Sequence, residues 1–304
     1  MVIVLFWISL LLMAYCYVIY PVILLLVARQ SQTTKKNGAH QPSVTVIMSA
    51  WNEDDVIAAK VENLLSLNYP KDRLEILIGT DGSTDGTNEA LRAISDPRLH
   101  FFEFPTRRGK PAVINELVSH ANNDILVFCD ARQRFDTNAV SELAANFADE
   151  RVGCVSGEMM LEDSEGDVSK GVRLYWNYEK FMRQQESRIH SMLGATGAIY
   201  AIRRELFEPV PAAMILDDMF IPLTIVQKGC RAIWDSTAKA FDQAASSSDE
   251  EYRRKVRTLS GNYQIFWALP GLLVPGKSPI ALQMISHKLL RVLGPFFMIA
   301  LMVL

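Results

Sequence analysis

The stretch that decides the fold covers residues 43–87 and reads SVTVIMSAWNEDDVIAAKVENLLSLNYPKDRLEILIGTDGSTDGT. Residues 43–49 form an apolar run rich in Val and Ile, which is typical of a strand buried on both faces. Residues 53–67 have apolar positions at helical spacing, and a second apolar run, 74–80, ends at an acidic turn, 81–86. The order strand, helix, strand predicts an α/β domain.

The loops after these two strands carry the first candidate site residues. Ligands of open α/β sheets bind beyond the carboxyl ends of the strands. We therefore expect Asp81 to share a cleft with the loop that contains Ser49, Trp51 and Glu53. The glycines of the Asp81 turn allow a close backbone approach to a ligand. An aromatic side chain with two acids suits a base and a ribose, whereas a bare phosphate would favour lysine and free amides.

The SAWNE and DGSTDGT segments resemble the opening of the inverting family-2 glycosyltransferases. This resemblance implies the GT-A fold, an α/β domain whose mostly parallel sheet is flanked by helices. It covers about residues 43–257, where further landmarks follow in the family's order. For the opening segments it implies nucleotide-sugar contacts by Ser49, Trp51, Glu53 and Asp81.

A basic segment at 107–110 opens the next predicted helix. Basic side chains and free amides at a helix start favour an anion, although a solvated charge cluster is the alternative interpretation. The family has a G-K-x-x-x-x-N segment here, which Gly109, Lys110 and Asn115 match. The resemblance therefore assigns Lys110 to the bound nucleotide.

The apolar run 124–130, DILVFCD, predicts a buried strand that ends in a carboxylate, Asp130. The family usually has Asp-x-Asp here, whereas this chain has Asp130-Ala131-Arg132. A hard divalent cation takes carboxylate and phosphate oxygens. We expect Asp130 to position the sugar diphosphate and Mg²⁺ or Mn²⁺, with Arg132 as the alternative source of positive charge.

Two adjacent acids, Asp217 and Asp218, open a later predicted helix, where the helix dipole alone would favour them. An inverting transfer needs one carboxylate to deprotonate the acceptor hydroxyl. The family commonly has Glu-Asp here with the Asp as base, which assigns that role to Asp218. Its processive members carry Gln-x-x-Arg-Trp further on. This chain has Arg254-x-x-Arg257-Thr258, so only Arg257 carries over, as a residue that binds the nucleotide sugar.

The N-terminal run, residues 1–28, is apolar and uncharged, and it is long enough to cross a bilayer. It is too long for a signal peptide and lacks a basic n-region, so we expect a retained transmembrane helix. Arg29, Lys35 and Lys36 follow it, which places the next domain in the cytoplasm, at the cell's inner or plasma membrane. The net charge of -3 argues against a nucleic-acid partner.

The predicted organisation has five parts. They are a transmembrane helix (1–28), a linker (29–42), a cytoplasmic GT-A catalytic domain (43–245), amphipathic helices at the membrane interface (246–288), and the start of a C-terminal transmembrane region (289–304). A basic cluster followed by aromatic residues favours the interface over a plain surface helix for the fourth part. Because the last run stops inside apolar sequence, we expect that further helices follow in a longer protein.

These features predict an integral-membrane, inverting glycosyltransferase. It would transfer a sugar from a nucleotide-diphosphate sugar, UDP-linked, to a polysaccharide or lipid-linked acceptor at the cytoplasmic membrane face, in contact with membrane lipids. One alternative is transfer to a polyprenyl phosphate, which needs no base. Another is a non-catalytic nucleotide-sugar-binding scaffold, because two family motifs are incomplete. A dinucleotide oxidoreductase is excluded, since no G-x-G-x-x-G follows the first strand.

Overall fold

The computed structural model describes residues 2–31, 34–162, 168–243 and 248–303, and an eight-stranded mixed sheet lies at its centre. The strands are β1 Val44–Ala50, β2 Leu74–Asp81, β3 Leu99–Phe104, β4 Ile125–Cys129, β5 Arg134–Phe135, β6 Val152–Glu162, β7 Ile199–Arg203 and β8 Arg231–Gln243. Across the sheet their order is β3-β2-β1-β4-β7-β6-β8-β5. The strands from β3 to β4 are mutually parallel, as expected. Strand β7 is antiparallel to both β4 and β6.

Helices cover both faces of this sheet. The numbered helices of the chain, on the sheet or away from it, are α1 Val2–Ala28, α2 Asp54–Leu65, α3 Thr87–Arg92, α4 Lys110–His120, α5 Ala139–Ala145, α6 Val168–Ile189, α7 Asp217–Gln227, α8 Ser248–Ala268, α9 Ala281–Val292 and α10 Gly294–Val303. Strand β1 is apolar at nearly every position because each of its faces meets a helix. Val46 and Met48 belong to the same core as Ile57 of α2, whereas Ile47 packs in the opposite core with Val113 of α4.

Strand β8 is longer than its sequence pattern suggests. It runs from Arg231 to Gln243 and joins the segments 231–234 and 239–242. The polar residues between them suggested a loop. In the structure Asp235 and Thr237 instead bind Lys36, whose ammonium lies 2.7 Å from both side chains. The short strand β5 and helix α5 were not predicted.

The predicted linker, 29–42, is attached to the catalytic domain along its described part, while residues 32 and 33 lie outside the described residues. Besides the Lys36 contacts, the backbone amide of Lys35 donates to Asp149 at 3.2 Å. The amide of Asn37 donates to the carbonyl of Ala145. These contacts fix the chain that leads from α1 into the sheet.

Helix α1 is 27 residues long with a mean hydropathy of 2.6, which makes it long and apolar enough to cross a membrane. Its central turn, Tyr15–Ile19, is a π-helix directly before Pro21, where the proline removes one helical amide donor. The expected C-terminal span differs from a straight helix. Helices α9 and α10 meet at 50°, and only as a pair do they reach the length of a membrane span.

Candidate active site

The loops after three parallel strands lie next to one another, because β2, β1 and β4 are neighbours in the sheet. Asp81 ends β2, Trp51 and Glu53 follow β1, and Asp130 follows β4. A salt bridge joins two of these loops, with Arg132 Nε 3.1 Å from Glu53 Oε2. The structure therefore brings together the loops that the sequence predicted as one cleft.

Asp81 is almost completely buried and holds a neighbouring loop. Its two carboxylate oxygens accept hydrogen bonds from the backbone amides of Arg108 (2.6 Å) and Gly109 (2.8 Å). The chain passes so close that a Cβ on Gly82, which has φ +67°, would lie 2.6 Å from the nitrogen of Arg107. The expectation of free amides at this helix start was wrong, because the protein's own carboxylate binds them.

The turn after β1 is fixed by the turn after β2. Asn52 has φ +52°, a left-handed conformation that is uncommon outside glycine. Its amide donates to Ser83 Oγ at 3.1 Å, and its side-chain oxygen accepts from the amide of Thr84 at 2.9 Å. The neighbouring Trp51 is 42% exposed, and the guanidinium of Arg107 lies over its ring, 3.5 Å from the centroid. An accessible aromatic face beside a cation suits a flat heterocyclic base.

Lys110, the first residue of α4, connects the acids of two loops. Its ammonium lies 2.8 Å from Asp130 Oδ1 and 3.4 Å from Asp217 Oδ2. Burial alone would lower the pKa of Lys110, but the charges of Asp217 and Asp130 raise it above its usual range. Lys110 therefore stays protonated and places a fixed positive charge between the end of β4 and the start of α7.

Asp218 is the second residue of α7 and lies against the chain before β7. Burial and the neighbouring charge of Asp217 raise the pKa of Asp218 to about 6. A Cβ on Gly197 would lie 3.0 Å from Asp218 Oδ2, so a larger residue would crowd the carboxylate. The amide of Ala195 donates to the backbone carbonyl of Asp218 at 2.8 Å. A carboxyl group with a pKa close to neutrality is suited to proton transfer at physiological pH.

A cavity of about 540 Å³ contains this carboxylate. Among the residues predicted for the site, Asp130, Asp218 and Arg257 line it. Its volume falls in the range of small-molecule sites, roughly 300–1,000 Å³. The other predicted residues are not among the lining residues of this cavity. Of these, Ser49 is half-buried in β1 beside Gly79 of β2.

Sequence reasoning missed the opposite wall of the cavity. Trp176 and Arg183 of α6 line it, together with Lys288 of α9. The first two residues are seven positions apart, a spacing that places them on one helix face. That spacing was the available signal. Lys288 carried none, because its approach to the cavity depends on how α9 packs.

Asp130 fits a divalent metal as one ligand among several. Its carboxylate is 41% exposed and lies beside the cavity. Over the ranges that the structure describes, no group of three or more His, Cys, Asp or Glu side chains is arranged to hold a metal. Mg²⁺ in nucleotide sites takes one or two carboxylates and completes its shell with phosphate oxygens and water. The residues present thus fit a metal that shares the diphosphate, and not one held by the protein alone.

Comparison with known families agrees with this arrangement. The family described as Glycosyl transferase family 2 matches residues 45–210, more than half of the chain. The chain belongs to this family. The enzyme class expected from the sequence is thereby confirmed: this family-2 protein is a glycosyltransferase, and its α/β fold is GT-A-like.

Two curated relatives match about three quarters of the chain. A probable glycosyltransferase, YdaM of Bacillus subtilis (strain 168), is 24% identical over 246 residues, which are 76% of this chain and 58% of that protein. The poly-β-1,6-N-acetyl-D-glucosamine synthase of Staphylococcus aureus (strain MSSA476) is 22% identical over 228 residues, 73% of this chain and 55% of the synthase. The family-2 chain thus spans little more than half the length of these relatives.

Solved structures show the same fold. The mannosyltransferase PcManGT from Pyrobaculum calidifontis, in complex with GDP-Man and Mn²⁺, has a TM-score of 0.82 at 23% identity. That match covers 98% of this chain and 85% of PcManGT. S. aureus TarS in complex with UDP-GlcNAc has a TM-score of 0.52 at 16% identity, over 74% of this chain and 66% of TarS. At these identities the likeness concerns the fold alone.

Proposed function

We propose that this family-2 enzyme transfers a sugar, with inversion, from a UDP-sugar to a hydroxyl group of a polysaccharide or lipid-linked acceptor at the cytoplasmic face of a membrane. One observation carries the proposal. The cavity that holds Asp218, with its raised pKa, is also lined by Asp130, where the donor diphosphate would bind. One carboxylate that could deprotonate the acceptor and another that could hold the metal of the donor diphosphate therefore face the same cavity.

The donor would lie along the carboxyl ends of the parallel strands. Trp51 and Glu53 would contact the nucleoside, together with Ser49 and the loop that Asp81 fixes. The diphosphate would lie near Lys110, whose ammonium neutralises charge on the departing UDP. Arg257, which is exposed on α8 and lines the cavity, would complete this positive environment. UDP is proposed because TarS was solved with UDP-GlcNAc and a relative is a poly-N-acetylglucosamine synthase.

Asp218 would accept the proton of the acceptor hydroxyl as its oxygen attacks the anomeric carbon. The carbon–oxygen bond to the diphosphate breaks on the opposite side of the sugar, which inverts the configuration. The raised pKa of Asp218 keeps the carboxylate ionised above pH about 6 while making it a stronger base than an exposed Asp. Asp130 would hold Mg²⁺ or Mn²⁺ jointly with the diphosphate, and the ion would neutralise charge on the leaving group. PcManGT contains Mn²⁺.

The surface of α8 supports a membrane frame. Five exposed residues, spaced four, three, four and four apart, form an apolar stripe along the helix: Tyr252, Val256, Leu259, Tyr263 and Trp267. From the same helix Arg254 and Arg257 line the cavity. An aromatic stripe at the membrane interface would therefore place the cavity directly above the bilayer. Helix α1, whose outer surface is apolar and exposed, would span it.

The domain division 1–28, 29–42, 43–245, 246–288 and 289–304 remains part of this proposal. Residues 246 and 247 lie outside the described residues. The apolar stripe of α8 supports the interfacial part, and the bent pair α9 and α10 supports a C-terminal membrane region. A protease-protection assay on sealed, right-side-out membrane vesicles, whose outer face is the extracellular one, tests the proposed orientation. Cleavage of the catalytic domain from the extracellular side would contradict it.

A donor panel tests the proposed reaction. The purified full chain in lipid nanodiscs would receive UDP-glucose, UDP-N-acetylglucosamine or GDP-mannose, with and without Mn²⁺, and released nucleotide would be measured. We expect release from a UDP-sugar that depends on Mn²⁺ and on Asp218. Release from GDP-mannose alone would contradict the donor. Full activity of Asp218→Asn would favour an acceptor that is already an anion, such as a polyprenyl phosphate.

A further inference from the structure

Two cations line the cavity from helices that carry none of the predicted site residues. They are Arg183 of α6 and Lys288 of α9. Arg183 donates a hydrogen bond to Thr196 Oγ1, a neutral partner. Within the described part of the chain neither cation forms an ion pair. Burial lowers the pKa of Arg183, which shows that the charge is held away from water at a cost. Both side chains are half-buried in the cavity wall, and an anion in the cavity would pair with them directly.

The nearby carboxylates have other partners. Glu186 accepts from Tyr20 Oη of α1 at 3.1 Å and lies 2.7 Å from His287 Nδ1. Glu179 binds Arg291, and its other oxygen lies 3.3 Å from His287 Nε2. This network ties α1, α6 and α9 together and uses both acids. Glu179 and Glu186 also act on Arg183 and Lys288 through their charge, but their direct contacts go to the network. The two cations are therefore free to form a direct contact with a molecule in the cavity.

The electrostatic neighbours of each group give an order along the cavity. Lys110 interacts with Asp130, Asp217 and Asp218. Arg183 interacts with Asp218 and with the acids of the α1–α6–α9 network, and Lys288 interacts with that network and with Arg183. Asp218 has both Lys110 and Arg183 as electrostatic neighbours, which fits a base between the donor end and a separate positive end. A diphosphate at Lys110 and an anion at Arg183 would occupy different places on either side of the base.

The positive end is also the apolar end of the cavity. Tyr175 lines it and is 57% exposed, and the adjacent Leu174 is 73% exposed. His287, a lining residue, belongs to the network that contacts Tyr20 of the apolar helix α1. A ligand that suits this end needs an anionic group and an apolar portion that extends out of the cavity towards α1.

We propose that Arg183 and Lys288 form a subsite for the phosphate or diphosphate group that joins an acceptor saccharide to its lipid. This inference rests on the proposed function and narrows its acceptor to lipid-linked saccharides, excluding free polysaccharide. The anion serves as a handle and is not the nucleophile. The sugar hydroxyl attached to it would reach Asp218, the base between the two ends.

A binding experiment tests this subsite apart from the transfer reaction. The full chain in nanodiscs of neutral lipid would first be saturated with UDP, so that the donor end is filled. Decyl diphosphate, decanol and inorganic diphosphate would then be titrated and binding followed by tryptophan fluorescence, since Trp176 lines the cavity. We expect decyl diphosphate to bind at least about tenfold more tightly than either fragment, because each supplies only one of the two recognised features.

Variants assign the binding to the two cations. Arg183→Gln and Lys288→Gln should each lower the affinity for decyl diphosphate about tenfold or more, because a hydrogen bond to a charged group is lost. Arg183→Lys should retain most of the affinity. The exposed cations Arg188 on α6 and Lys277 before α9 serve as matched controls, and their Gln variants should bind like the wild type.

The affinity for UDP, measured in the same variants, separates this inference from the proposed function. Unchanged UDP binding with lost decyl diphosphate binding supports the subsite. Equal binding of decanol, or retention of decyl diphosphate by both Gln variants, would overturn it. Inorganic diphosphate binding as tightly as decyl diphosphate would contradict the lipid-linked acceptor. If the wild-type protein does not bind UDP at all, the proposed donor site is contradicted instead.

Discussion

Replacing Asp218 by Asn keeps the size of the side chain and removes the base. A positioned general base typically contributes a factor of about 10² to 10⁴, so we expect kcat to fall by that amount. In the unaltered enzyme, kcat/KM should fall about tenfold per pH unit below pH about 6, where Asp218 becomes protonated. Asp217→Asn removes the adjacent charge that helps to raise this pKa, so the acidic limb of the profile should move to lower pH.

The same replacement should stabilise the protein. The pKa of Asp218 is about 6 in the folded chain and about 4 in an unfolded one, which corresponds to roughly 3 kcal/mol at most. Because the folded state binds the extra proton between these values, stability falls as pH rises through this window, and the penalty is complete above it. Asn carries no charge and escapes the penalty. The Tm of Asp218→Asn should therefore exceed that of the wild type by several degrees at pH 8 and by little at pH 4.

Asp55 provides a matched control for both measurements. It is the second residue of α2, as Asp218 is the second residue of α7, but its side chain is exposed. If acids at a helix start act only on the helix dipole, Asp55→Asn and Asp218→Asn should both lower Tm slightly and leave kcat unchanged. Nucleotide release and thermal unfolding, each followed from pH 4 to pH 8, decide between the two roles. Equal behaviour of the two variants would refute the assignment of Asp218 as the base.

Three further predictions concern the donor end and the linker. Asp130→Asn should raise the Mn²⁺ concentration for half-maximal UDP release about tenfold, and an unchanged metal titration would contradict its role. Asp81→Asn removes the charge that strengthens the bonds to two backbone amides and so loosens the loop before Lys110. The affinity for UDP, measured by calorimetry, should fall about tenfold, and an unaltered Kd would count against this. Lys36→Ala leaves the buried Asp235 unpaired and should cost about 1–3 kcal/mol, and an unchanged Tm would exclude that anchor.

The first half of the sheet was predictable from the sequence. Strands β1, β2 and β4 are short apolar runs, and each is followed by acidic or glycine-containing residues. Their parallel pairing places Trp51, Asp81 and Asp130 at one sheet edge, as expected. The adjacent acids Asp217 and Asp218 were recognisable because they open a helix in the family's order.

The role of Asp81 depended on information outside its own segment. Its carboxylate binds amides of the loop 107–109, which the pairing of β2 with β3 brings to it. A local motif gives only the residue type and not the partner. For the same reason the sequence suggested that Asp81 meets a ligand, whereas the structure shows it buried against backbone.

The far wall of the cavity was not predictable because it depends on how distant helices pack. Arg183 and Lys288 belong to segments that are far apart in sequence and meet through contacts such as those of Glu186 with His287 and Tyr20. In a linear sequence Lys288 resembles a charge that flanks a membrane run. The roles of all the predicted site residues stay predictions, and so do the boundaries of the membrane segments.

A structure of the full chain with an unhydrolysed UDP-sugar analogue and Mn²⁺ tests the central claim most directly. We expect an anomalous Mn²⁺ peak next to Asp130 and the uracil ring near Trp51. The carboxylate of Asp218 should face the anomeric carbon on the side opposite the diphosphate. A nucleotide bound outside the cavity, or Asp218 on the same side of the sugar as the diphosphate, would contradict the account.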